Sequence, residues 1–125
     1  MINDLVGTWD MVHDGWRGTL VINPPGQVLN GDEDGCTYRS YVIDGTYTTG
    51  SGDQFAMRGT FGGKDPSRRA GEACPQSEHL ISFTIDFSGE PPQPFTGYLF
   101  TRQSTGMGGQ TWWQGIPFGW YAIKR

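Results

Sequence analysis

The chain has 125 residues, a formal net charge of −4, and only 18% charged against 14% aromatic residues. At this length one domain spanning 1–125 is the expectation, with about two thirds of its extended surface buried on folding. The aromatic content excludes a disordered chain, the acidic balance opposes a nucleic-acid partner, and no apolar run is long enough for a membrane helix.

Twenty glycines and eight prolines divide the chain into short runs that alternate in polarity, the period of a strand and not of a helix. The first run is LVGTWDMVH at 5–13, followed across a turn by RGTLVIN at 17–23. Trp16 falls in that turn, where strand packing does not account for it. TYRSYVIDGTYT at 37–48 and QFAMRGTF at 54–61 come next. In GGKDPSRRAGE, the basic group Lys64, Arg68 and Arg69 has Asp65 and Glu72 beside it and reads as a solvated loop. DPSRRAGEA at 65–73 can form one helical turn at most. HLISFTIDF at 79–87 shows the clearest alternation: His79, Ile81, Phe83, Ile85 and Phe87 face one way, Ser82, Thr84 and Asp86 the other. The last three runs are 95–102, 109–114 and 118–125.

Eight sequential strands joined by short turns predict an all-β fold, a small eight-stranded antiparallel up-and-down β-barrel. A two-sheet sandwich gives the same strand spacing, but closure removes the edges through which aromatic strands aggregate. Gly7, Gly18, Gly45, Gly59, Gly97 and Gly119 lie inside strand patterns, which implies strong curvature.

The start, MINDLVGTW, lacks the basic and apolar regions of a secretion signal, so the expectation is a cytoplasmic protein or an exported one whose signal has been removed. Cys36 and Cys74 lie in turn-rich segments. In a reducing cytosol they are thiols; in an exported chain they form a bridge contributing about 4 kcal/mol. With no histidine beside them they do not form a metal site, and no cofactor motif is present.

The first strand reads Leu5-Val6-Gly7-Thr8-Trp9 and the chain ends Ile123-Lys124-Arg125. This resembles the calycin barrels, the group containing lipocalins, fatty-acid-binding proteins and avidins. In them a Gly-x-Trp of the first strand packs at the closed end against a basic residue from late in the chain. Gly7, Trp9 and either Lys124 or Arg125 are the matching positions. The length and strand count suit the avidin branch. However, Met11 stands where avidins place an asparagine, and no Gly-Ser pair follows, so the resemblance does not extend to biotin. It implies one closed end, one open mouth, and a binding role for the mouth.

Three of the five tryptophans fall in GQTWWQGIPFGWYAIKR at 109–125. A period of two places Trp113 with Thr111 on one face and Trp112 with Gln110 and Gln114 on the other. This makes Trp113 the expected core ring and Trp112 the ring free for recognition. Trp120 shares a face with Phe118 and Ala122. Aromatic groups flanked by glutamines and threonines suit stacking on a flat ligand while bonding its edge. The expected function is therefore non-catalytic binding of a small polar or aromatic molecule, a carbohydrate among the candidates, through Trp16, Tyr98, Gln110, Trp112, Gln114 and Trp120. One alternative is a small-barrel enzyme of the cyclase or isomerase type using Asp44, Asp86 or Tyr98. Another is a homo-oligomer assembled through the last hairpin. His13 and His79 each end a predicted strand and are read as structural, although a shared rim would allow an acid–base pair.

Overall fold

A computed structural model describes residues 2–68 and 71–125. A one-turn helix α1 (Ile2–Leu5) precedes nine strands: β1 (Gly7–His13), β2 (Trp16–Ile22), β3 (Gln27–Glu33), β4 (Cys36–Thr49), β5 (Gln54–Lys64), β6 (Gln76–Ile85), β7 (Gln93–Leu99), β8 (Gly106–Trp113) and β9 (Ile116–Lys124). They form one antiparallel sheet in the order β2-β1-β9-β8-β7-β6-β5-β4-β3, closed by a further pairing of β2 with β4. The expected all-β, eight-stranded antiparallel barrel is present, with one additional strand.

The additional strand is β3, and its pairing explains why alternation passes over it. Ile22 of β2 faces Gly45 of β4; after Asn23-Pro24-Pro25-Gly26, Gln27 of β3 faces Val42. Residues 16–49 therefore form one long hairpin whose first arm is interrupted where the prolines lack a backbone donor. Beyond that break the hairpin leaves the barrel, every residue of β3 is exposed, and no buried face imposes a period of two. The hairpin closes at Asp34-Gly35, with φ values of 53° and 78°. Asp14-Gly15 joins β1 to β2 and Gln114-Gly115 joins β8 to β9 in the same left-handed pair of conformations. Such two-residue turns match the twist of the strands they connect, and aspartate followed by glycine favours them.

Inside the barrel one hydrophobic cluster runs from Leu5 and Trp9 to Phe95 and Trp120. The strand glycines make room for it. A side chain at Gly97 would collide with the Trp120 ring at 2.9 Å, and one at Gly18 would meet the Tyr47 hydroxyl at 2.3 Å. Large rings thus lie directly on backbone that glycine leaves bare.

The closed end has the packing expected of Gly7, Trp9 and a late basic residue. The Trp9 indole N–H donates to the Leu5 carbonyl at 2.8 Å, which fixes α1 across the barrel. Lys124 Nζ donates to the Asp4 carbonyl at 2.6 Å and lies 5.8 Å from the Trp9 ring centre. Gly7, at φ 137°, admits the lysine stem, whose Cε would lie 3.0 Å from any Cβ there. Arg125 instead pairs with Asp10 at 2.9 Å on the outside.

Cys36 and Cys74 are joined in a disulfide, tying the tip of the β3–β4 hairpin to the β5–β6 loop. The Gln76 amide adds a second tie by bonding both the N–H and the carbonyl of Arg39. Among the described residues of 65–73 no helical turn forms. Arg68 pairs with its sequence neighbour Glu72 as expected, whereas Lys64 pairs with Glu33 of β3 instead of with Asp65 or Glu72. Arg69 lies outside the described residues.

Candidate functional site

The inward positions change character along the barrel axis. Toward α1 they are Trp9, Met11, Leu20 and Met107, all buried. Toward the opposite end they become His13, Tyr47, Gln93 and Thr111, which do not fill the lumen, and a cavity of about 690 Å³ opens above them. This volume lies in the range of sites that enclose a small molecule.

His13, Tyr47 and Gln93 form the lower lining of the cavity, and all three are buried. Phe55, Phe87, Trp113 and Phe118, each half-buried, line its walls together with Thr49. The exposed rim carries Asp14, Trp16, Arg17, Ser51 and Asp53. Four connections surround the opening: Asp14-Gly15, residues 50–53, residues 86–92 and Gln114-Gly115. The hairpin turns at 14–15 and 114–115 are short enough to leave the mouth uncovered.

At the floor, His13 Nε2 and the Tyr47 hydroxyl are 3.0 Å apart in a hydrogen bond whose direction follows the imidazole tautomer. The His13 ring also meets Phe95 edge-on at 5.6 Å and Tyr47 at 5.5 Å. Burial lowers the His13 pKa below its ordinary 6.5, partly opposed by the Asp14 charge, and burial raises that of the Tyr47 phenol. Both groups are therefore neutral at pH 7. The Gln93 amide donates to Thr111 Oγ1 at 2.8 Å, and that hydroxyl donates to the Pro94 carbonyl at 2.8 Å. This chain of bonds fixes the orientation of the amide.

Of the residues expected to bind, Trp16 alone lines the cavity; it is 72% exposed at the rim. Trp113 points inward as the period of two requires, but stands in the cavity wall rather than in the core. Trp112 is half-buried on the outer face, Gln110 is exposed there, and Gln114 is in the left-handed turn at φ 52°. Trp120 is buried: its N–H donates to the Thr96 carbonyl at 3.1 Å, and its ring meets Phe83 and Phe95 edge-on. Tyr98 is outside the barrel, donating to Asp65 at 2.6 Å and bonded to Ser67 at 2.8 Å. These bonds latch the β5–β6 loop to β7. Burial pushes the Asp65 carboxyl up, but the bonds from Ser67 and Tyr98 and the Arg68 charge outweigh it, so its pKa is lowered.

Asp44 is exposed and accepts a bond from Asn23 at 3.0 Å, and Asp86 is exposed beyond the end of β6. Neither carboxylate lines the cavity. His13 and His79 do not share a rim: His79 lies near the beginning of β6, beside the hollow formed with Asp65 and Tyr98. Among the described residues no group of histidines, cysteines and carboxylates has the arrangement of a metal site, and no helix is long and apolar enough to cross a membrane.

The sequence signals missed Tyr47, Gln93, Phe55 and Phe87. Each stands in or beside a strand that alternation detects, but alternation tells only that a residue faces inward, not whether the lumen at that depth is full. Comparison of the chain with protein-family models, with curated proteins and with solved structures finds no match.

Proposed function

We propose that the protein is a non-catalytic binder of a small molecule, which it holds in the open mouth of the barrel. The observation that carries this reading is the aromatic cavity of about 690 Å³ above the buried His13, Tyr47 and Gln93. Aromatic walls with a few fixed polar groups are the usual construction of such a site. The closed end supports a relationship to the calycins, because Lys124 lies over Trp9 beside Gly7. Indole N–H signals in a proton–nitrogen spectrum test the location. A binding compound should shift the signals of Trp16 and Trp113 and leave Trp112 in place. Shifts confined to Trp112 would move the site to the outer surface and overturn the proposal.

A second reading, self-association, is favoured by the outer face of the last strands, where Tyr98, Tyr121 and Ile123 are 39%, 47% and 48% exposed. Light scattering on a size-exclusion column tests it. A monomer mass at high concentration counts against it.

A further inference from the structure

We infer that the cavity selects an uncharged ring-bearing molecule that enters with a carbonyl or hydroxyl group foremost, read by Gln93 and the His13–Tyr47 pair. This inference rests on the binding reading above and adds the chemical class of the ligand.

The distribution of charge carries the argument. Among the described residues, every ionised one that lines the cavity belongs to the exposed rim: Asp14, Arg17 and Asp53. The buried lining residues, His13, Tyr47 and Gln93, are 8%, 2% and 6% exposed and provide neutral hydrogen-bonding groups. A carboxylate or ammonium brought to that depth would lose its hydration and gain no counter-charge, which is costly in an apolar enclosure. A neutral carbonyl or hydroxyl faces no such penalty, provided its bonds are made.

The floor can make them in either sense. When Tyr47 donates to His13 Nε2, its oxygen still accepts from a ligand hydroxyl; in the other tautomer its O–H is available to a ligand carbonyl. Beyond its bond to Thr111, the Gln93 amide retains a second N–H and a carbonyl oxygen. Flat walls of Phe55, Phe87 and Phe118 suit rings, and of the wall residues only Thr49 carries a side-chain hydroxyl. A sugar driven to this depth would leave most of its hydroxyls without partners, each at a cost.

The test uses the whole chain at pH 7.5 and four probes built on one ring system: naphthalene, 2-acetylnaphthalene, 2-naphthol and the anion 2-naphthoate. Methyl glucoside is a fifth. Affinities come from titration calorimetry, and indole shifts report the location. The neutral oxygenated probes should bind at least tenfold more tightly than naphthoate and more tightly than naphthalene. Gln93→Leu should narrow the advantage of 2-acetylnaphthalene over naphthalene without weakening naphthalene. Tyr47→Phe, which removes one oxygen, gives the same reading if Gln93→Leu does not fold.

Naphthoate or methyl glucoside binding at the Trp16 and Trp113 signals as tightly as 2-acetylnaphthalene would overturn the selection for neutral ring systems while leaving a mouth binding site in place. An acetylnaphthalene preference unchanged in both variants would overturn the role of the floor. If no probe moves Trp16 or Trp113, the binding reading fails with it.

Discussion

His13 has aromatic rings against it from three residues, Tyr47, Phe87 and Phe95. Its depressed pKa has a thermodynamic consequence whose sign is fixed by linkage. Below the ordinary value of 6.5 the unfolded chain takes up a proton that the folded chain refuses, so stability falls as pH drops until the folded pKa is passed. Melting temperature should therefore decline as pH falls below about 6.5, before most carboxylates titrate. In His13→Gln the decline should be reduced, and melts at pH 7.5, 6.5 and 5.5 on both proteins measure it. The same slope in the variant would show that the imidazole does not cause it. The placement of this histidine was legible only in part: it ends the alternating run that buries Trp9 and Met11, but its partner Tyr47 is 34 residues away and the pairing comes from barrel closure.

At the scale of the element, β8 shows how a period of two is translated into function. Adjacent side chains of a strand cannot both face inward, and Thr111 and Trp113 take the inner side while Trp112 takes the outer. The face assignment reads directly from the sequence; the division of labour between the rings does not. A tryptophan pointing inward is core only if the strand continues into a filled lumen, and Trp113 is the last residue of β8, beside the Gln114-Gly115 turn. Trp113→Ala should accordingly weaken a mouth-bound probe such as 2-acetylnaphthalene at least tenfold while costing about 1 kcal/mol or less in stability. Trp112→Ala should leave that affinity unchanged. An unchanged affinity for the probe in Trp113→Ala would remove Trp113 from the site. β3 shows the converse: outside the barrel its residues have no buried side to mark, so alternation passes over the strand and the hairpin it forms with β4.

The whole molecule separates its two ends. Lys124, Trp9 and α1 seal one end, the cavity occupies the other, and the Cys36–Cys74 bridge fastens the β3–β4 projection away from the mouth. The bridge joins residues 38 apart, and opening a loop of that length restores enough unfolded-state freedom to cost about 4 kcal/mol. The double variant Cys36→Ser with Cys74→Ser should therefore melt at a lower temperature yet retain probe binding at the mouth. Calorimetric melts and titrations of both proteins test this; an unchanged melting temperature would contradict the cross-link, and lost binding in a folded variant would contradict the separation of the ends. By itself the sequence determined the strand class, because local alternation and turn residues carry it; it favoured a barrel over a sandwich, and the resemblance of its Gly-x-Trp implied a basic residue over Trp9, which closure by β2 and β4 and the placement of Lys124 then fixed. Tertiary structure alone decided the disulfide, the outward placement of Asp44, Asp86 and Tyr98, and the cavity with its neutral floor. Each of those depends on which distant strands meet at one depth of the barrel, and a period of two carries no information about depth.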